Sequence, residues 1–278
     1  MRIATNGLRI FGTRVFDLAA TERPTVVLSD LHVPQGGGPV VGWLGELLDD
    51  AAAQGARVLV LGDLFDSYVT PRQLGVGIWR EVADRFAAAT AGGAEIAVLH
   101  GNRDFLLGAE WERATGAVVV PGGLRTVLAG KKALLLHGDE LCRNDLPYQR
   151  AKKWLRRPWT KGLARRLPLP LAHWVAARAR RKSQRVTRAG DQGRFLPTAD
   201  AIATALRSGV ERVVFGHIHR LAHGAVPEGD YLVLPAFDEA GVRLVVRDRF
   251  ELEEPGGRPF AGELQPLPLP GAGTARDA

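Results

Sequence analysis

A chain of 278 residues that is 46% hydrophobic and 24% charged is long enough for one large domain or two small ones, which excludes collagenous, fibrous and wholly disordered readings. Its net charge of +7 is unevenly placed: Arg143 to Arg194 holds 16 Lys and Arg against 2 acids, a net of +14, and the remainder carries −7. An acidic body with one strongly basic insert is expected to meet a polyanion, an anionic small molecule or an anionic membrane surface.

The single cysteine, Cys142, has no internal partner, and the first twenty residues interleave Arg, Asp and Gly with apolar residues, unlike a secretory leader. A cytosolic protein is predicted. No stretch approaches the ~20 charge-free apolar residues that cross a bilayer.

In chain order, short Val-, Leu- and Ile-rich runs without polar alternation predict strands buried on both faces at Thr25–Ser29, Arg57–Leu61, Glu95–His100, Lys132–Leu136 and Arg212–Phe215. Helices are predicted between them at Val40–Gln54, Arg72–Ala91 and Ala199–Ser208, the last after the start signal Pro197-Thr198. Past residue 220 the pattern shifts to Tyr231–Leu234 and Val242–Val246, read as antiparallel strands closing the sheet, and the Pro- and Gly-rich stretch 256–278 reads as a mobile tail. The insert, 143–196, interrupts this α/β alternation with helical patterns at Tyr148–Arg157 and Leu171–Arg188 and holds Trp154, Trp159 and Trp174. It reads as a helical cap within a single domain spanning 1–278, placed over the carboxyl ends of the strands where ligands gather.

Five motifs fall where the predicted strands stop: Ser29-Asp30-Leu31-His32, Gly62-Asp63-Leu64-Phe65-Asp66, Gly101-Asn102-Arg103-Asp104, His137-Gly138-Asp139 and Gly216-His217-Ile218-His219. Hard oxygen donors mixed with imidazoles, without thiolates, suit Mn²⁺, Fe²⁺, Zn²⁺ or Mg²⁺. Each motif alone is as readily a cap or a satisfied polar residue, but burying all of them without metal would be costly.

The order D-x-H, GD-x-x-D, GN-x-D, H-G-D, G-H-x-H resembles the calcineurin-like metallophosphoesterases, and the stretches Leu99 to Gly108 and His137 to Cys142, with Asp145, Tyr148, Gln149 and Arg150, are similar to the UDP-2,3-diacylglucosamine hydrolases of lipid A biosynthesis. Many phosphatases of the superfamily place His where Arg103 stands. The resemblance implies an α/β fold, a four-layer α/β/β/α sandwich with a helical lid. It implies two divalent ions, foremost Mn²⁺, bridged by Asp63, one also taking Asp30, His32 and His219, the other Asn102, His137 and His217. A hydroxide between them would cleave the substrate diphosphate to UMP and 2,3-diacylglucosamine 1-phosphate. Arg103 and Asn102 would act catalytically, and Asn102, Arg103, Asp145, Tyr148, Ser183, Thr187 and His217 would contact substrate. Asp66 and Asp139 are expected to orient ligating imidazoles, and the lid's Trp and Leu residues to house acyl chains while its cations meet the diphosphate and the cytoplasmic face of the inner membrane.

Three departures stand out: Gly190 where the family has Lys, with Arg188 the nearest base, Leu221 where it has Pro, and some twenty residues ahead of the first motif. Two rivals keep the fold but change the role: a phosphodiesterase or nuclease whose insert binds nucleic acid, which the leading reading excludes, and a non-catalytic membrane-surface or scaffold protein.

Overall fold

Because successive strand residues point to opposite faces, an apolar run without polar alternation needs apolar partners on both sides. The computed structural model, which describes residues 1–270 apart from 176, 179–180 and 182–191, meets that need with two seven-stranded sheets. The first runs β1 (Ile3–Ile10), β2 (Thr13–Leu18), β7 (Gly123–Leu128), β8 (Lys131–Leu136), β9 (Arg212–Phe215), β11 (Gly229–Val233), β10 (Ala222–Val226). The second runs β14 (Arg258–Pro259), β13 (Phe250–Glu254), β12 (Arg243–Val246), β3 (Thr25–Leu28), β4 (Arg57–Val60), β5 (Glu95–Leu99), β6 (Val118–Val120).

The alternation of side chains sorts these strands into three cores. Val27, Leu59, Ala97 and Leu99 of the second sheet meet Leu124, Leu135 and Val214 of the first, forming the layer between the sheets. Their neighbours Leu28, Val58, Val60, Ile96 and Val98 point outward onto helices α1 (Pro39–Gln54) and α2 (Gly77–Ala91) through Leu44, Leu48, Val82 and Phe86, with α3 (Ala109–Thr115) adding Trp111 to the same layer. On the far side, Leu134, Leu136, Val213 and Phe215 pack beneath Ile202, Ala205 and Leu206 of the helix Ala199–Leu206. The result is the α/β/β/α sandwich.

Several elements differ from their sequence reading. The expected helix Arg72–Ala91 is cut in two: Pro71–Gly75 is a 3-10 turn, Val76 is extended, and Gly77 at φ 52° starts α2. The first twenty residues form a hairpin joined by a two-residue turn, with β2 running parallel to β7. Residues 256–270 of the stretch read as a mobile tail are held: β14 pairs with β13, Gln265 bridges to Ala222, and Leu267 is buried in the outer core of the first sheet. Leu267 and Leu269 cover apolar surface there that would otherwise face water; residues 271–278 lie outside the described residues.

The insert contributes α4 (Leu146–Leu155), α5 (Pro158–Arg166) and a helical stretch from 169, neither α4 nor α5 having a buried residue. Asp145 caps α4 and Pro158 opens α5, which sets the break between them. Much of the second predicted insert helix lies outside the described residues. Among the described residues no helix is long and apolar enough to cross a membrane.

A buried ion pair ties β4 to β5. The Arg57 side chain, 5% exposed, donates to Glu95 Oε2 at 2.8 and 3.1 Å, and the N-terminal ammonium lies 3.4 Å from Oε1. Burial alone would raise the Glu95 pKa, but the hydrogen bond and charge of Arg57 with the terminal ammonium outweigh it and hold the carboxyl below its ordinary value. A depressed folded pKa stabilises the fold above the unfolded pKa, and this contribution is lost as pH falls through the folded pKa. Glu95→Gln should therefore lower stability by about 2 kcal/mol near neutral pH, with the gap to the parent closing below about pH 4; urea melts at both pH values check this.

Candidate metal centre

All five motifs leave the ends of β3, β4, β5, β8 and β9, and the loops converge from both sheets. Seven residues other than glycine have positive φ in the described chain, and five of them are Asp30, His32, Asp63, His217 and His219, at 41° to 70°. Such backbone costs about 1–3 kcal/mol per residue and persists only where its surroundings dictate it. Here the surroundings are neighbouring loops at van der Waals range. A Cβ on Gly101 would overlap the Asp63 carboxylate, and one on Gly216 would overlap Ser29 Oγ and Asp30 Oδ2. Glycine at these two positions lets one loop lie directly on the next.

Asp30 Oδ2 accepts from Ser29 Oγ at 2.6 Å and from the His217 amide at 2.7 Å. Its other oxygen, Oδ1, has no hydrogen-bond partner and faces Nε2 of His32 at 3.7 Å and of His219 at 3.6 Å. Those two imidazole nitrogens are 3.0 Å apart. Asp63 reaches the other way: Oδ2 lies 3.9 Å from His32 Nδ1 and Oδ1 lies 3.8 Å from His137 Nε2. His137 Nδ1 sits 2.9 Å from the Leu61 carbonyl, which places the ring proton there and turns the Nε2 lone pair toward the cluster. The Asn102 amide tip is 2.5 and 2.9 Å from the Asp63 oxygens and 3.2 Å from His137 Nε2.

This donor set fits divalent cations. Asp30, His32 and His219 form one group of converging ligand atoms, and Asp30, Asp63 and His137 form a second. Asp30 Oδ1 and His32 Nδ1 are buried without a partner, and lone pairs facing one another at these distances are balanced when a cation stands between them. His217 lies outside both groups, its ring 5.0 Å from that of His137 between centroids.

The protonation states diverge as in a reactive site. Burial, then the positive charge of His137, drives His217 down to about 4. Burial and Arg103 hold His32 well below its ordinary value. Burial also disfavours a charged His137, yet without a cation in the cluster Asp63, Asp30 and Asp139 overcome it and push that imidazole up to about 9; a bound cation would take the place of the Nε2 proton. Asp63 is raised by burial, and Asp104, through burial and the nearby Asp63 charge, to about 7.

Arg103 stands at the rim, 30% exposed, with Nη1 2.9 Å from Asp66 Oδ1 and Nε 3.5 Å from Asp63 Oδ2. Its amide donates to Asp63 Oδ1 at 2.9 Å. Asp66 thus meets Arg103 at the rim. His100, buried, places Nε2 2.8 Å from the Leu107 carbonyl and so has a structural bond of its own.

Two carboxylates do work that spacing alone did not reveal. Asp104 is fully buried and staples two site loops, accepting from the Leu64 amide at 2.7 Å and the Gly101 amide at 2.9 Å. Asp139, expected to orient an imidazole, acts on His137 and His217 through its charge and makes its hydrogen bonds to the lid. Its Oδ2 accepts from the Tyr148 hydroxyl, lies 2.8 Å from Lys152 Nζ and 4.0 Å from Arg156 Nη2. Tyr148, Lys152 and Arg156 recur every four residues, so one face of α4 meets one carboxylate; that i, i+4, i+8 pattern was the available signal. Although burial would raise it, Lys152 and Arg156 hold the Asp139 carboxyl well below its ordinary range. Tyr148 also lies beside His217, ring centroids 6.3 Å apart. Asp145 caps α4, accepting from the Tyr148 amide at 3.4 Å, with Arg194 3.6 Å away. Ser183 and Thr187 lie outside the described residues. Trp154, Trp159 and Leu163 are 57%, 58% and 61% exposed, so the lid's large apolar side chains face outward here.

Two sheets with carboxylates, imidazoles and an amide gathered at their strand ends define a calcineurin-like phosphoesterase, whose family model matches residues 23–221. The chain is 32% identical over 200 residues to the UDP-2,3-diacylglucosamine hydrolase of Pseudomonas paraeruginosa, covering 72% of this chain and 83% of that one. It is 30% identical over 230 residues to that of Photorhabdus laumondii, covering 81% and 95%, and 33% identical over 211 residues to that of Edwardsiella ictaluri, covering 74% and 80%. The chain belongs to the UDP-2,3-diacylglucosamine hydrolase family.

Gly101→Ala is expected to displace Asp63 and weaken Mn²⁺ affinity by about 10- to 100-fold, read by calorimetric titration; unchanged affinity would show that the loop contact is not needed. Asp139→Asn should loosen α4, so that trypsin cuts within 150–166 several-fold faster than in the parent, followed by mass spectrometry.

Proposed function

We propose that the protein hydrolyses the diphosphate of UDP-2,3-diacylglucosamine to UMP and 2,3-diacylglucosamine 1-phosphate. Two divalent cations, foremost Mn²⁺, would be held by Asp30, His32, Asp63 and His219 on one side and by Asp63, Asn102, His137 and His217 on the other. The observation that carries this reading is the pair of converging ligand groups joined through Asp30, with Asp63 placed between His32 and His137 at 3.9 and 3.8 Å. When bound, such a pair supplies the acidity that makes water nucleophilic near neutral pH and the positive charge that phosphoryl oxygens need.

The chain's own residues do the rest. Oxygen from water joins the phosphorus next to uridine, and the bridging oxygen leaves with the lipid phosphate. Arg103, at the rim of the cluster, can exchange its hold on Asp66 for two parallel bonds to the diphosphate and neutralise charge that grows in the transition state. Asn102, Tyr148 and His217 would contact the substrate, Tyr148 and His217 lying ring beside ring, and Asp145 sets the start of the helix that carries Tyr148. The substrate's acyl chains and the net +14 insert fit an enzyme lying on the anionic cytoplasmic face of the inner membrane, with exposed Trp and Leu of the lid toward lipid.

Phosphorus NMR of the products, with Mn²⁺ and with UDP-glucose and an oligonucleotide as parallel substrates, tests this. Release of UMP from the diacylated substrate alone is expected, and faster turnover of the oligonucleotide would move the assignment to nucleic acid. Arg103→Ala should lower kcat by about 10²- to 10³-fold, measured with the lipid substrate at saturation.

A further inference from the structure

The hairpin β1–β2 precedes residue 23, where the family match begins, and the chemistry above uses none of its residues. Its turn is strained: Phe11 and Gly12 have φ 48° and 86°, and a bulky side chain is disfavoured in that region. The turn sets the Phe11 ring 4.5 Å from the Arg143 guanidinium at the root of the lid. It also brings Arg9 and Arg14 into the wall of a 940 Å³ cleft whose other side is α4 and α5.

Eight Lys and Arg side chains line this cleft, and none of its lining residues is a carboxylate. Three of the cations are engaged elsewhere: Lys152 with Asp139, Arg156 with the Gly101 carbonyl, Arg165 with Glu110. Among the described residues, Arg9, Arg14, Arg143, Lys153 and Lys161 have no carboxylate at ion-pair distance. Burial, with Arg156 and Arg165 nearby, lowers the Lys161 pKa. Such a field attracts phosphate. The two rings in the cleft offer nothing for a base to stack on, because Arg143 covers Phe11 and His100 is buried. The lining thus offers charge for a phosphate, with no tryptophan or tyrosine among its own residues for a base to stack on. The same two helices expose Trp154, Trp159 and Leu163, and basic charge beside exposed tryptophan is the pairing that seats a helix at a bilayer surface.

We propose that this cleft binds the phosphate headgroup of an anionic membrane lipid, gripped between the N-terminal hairpin and the lid, at a site separate from the metal centre. The inference rests on the membrane-surface reading above and gives it a specific pocket.

The test is co-flotation of the full chain with phosphatidylcholine vesicles with and without phosphatidylglycerol, comparing the parent, Arg9→Glu/Arg14→Glu, and the control Arg249→Glu/Arg258→Glu, which makes the same charge change at exposed positions elsewhere. Both hairpin arginines are exposed, so folding and turnover of detergent-dispersed substrate should be unchanged. The hairpin variant is expected to lose at least about tenfold in affinity for the phosphatidylglycerol vesicles beyond the loss in the control. Equal affinity of the two variants, with the parent bound, would overturn the cleft and leave the membrane reading standing. A parent that ignores anionic vesicles would overturn both. Pyrophosphate binding that is lost in the hairpin variant while vesicle binding is kept would overturn the lipid assignment in favour of a soluble anion.

Discussion

The backbone of Gly101 lies against the carboxylate of Asp63, and the backbone of Gly216 lies against Asp30; the arrangement of the site depends on these two contacts. Each places a carboxylate between loops from different strands, where it can accept amide hydrogens from one neighbour and face imidazoles of another. Asp30 is held through Oδ2 by the His217 amide and keeps Oδ1 for the cluster, whereas Asp63 Oδ1 both accepts from the Arg103 amide and faces His137. The left-handed conformations of Asp30, His32, Asp63, His217 and His219 follow from the same crowding. Loops that turn this sharply at strand ends aim short side chains at a single point, and the two packed sheets supply the rigidity that sustains the strain.

Around this centre the charge is divided by function. The acidic body holds the carboxylates of the ligand cluster, while the basic insert and the hairpin hold the arginines and lysines that line the cleft. Asp139 joins the two parts, because a fully buried carboxylate next to the site meets Tyr148, Lys152 and Arg156 of α4. The lid meets the body at further points: Arg156 donates to the Gly101 carbonyl, Arg165 pairs with Glu110, His173 stacks on Trp79 and Ala172 is buried.

Much of this was legible from the residues. Strands β3, β4, β5, β8 and β9 were readable because both faces are buried and no polar alternation breaks the run. The hairpin β1–β2 was not, because it mixes Arg, Thr and Asn with apolar positions and turns at Phe11-Gly12, without the Asn-Gly or Asp-Gly signal. The break at Val76-Gly77 was hidden by a helical pattern continuing on both sides, and the anchoring of residues 256–270 by a composition typical of loose chain. At the site, motif order indicated which residues meet, whereas the division of labour among the acids depended on tertiary contacts: Asp104 as a staple between loops, Asp139 as the lid's anchor, Asp66 as the partner of Arg103.

The central claim is that the strand-end loops hold two cations side by side. Titration of metal-stripped protein with Mn²⁺, followed by electron paramagnetic resonance, addresses it most directly. Two ions per chain with an exchange-coupled spectrum would be expected from a carboxylate shared as Asp63 is placed, and Asp63→Asn should uncouple them. A single ion per chain, or two with independent spectra, would contradict the account.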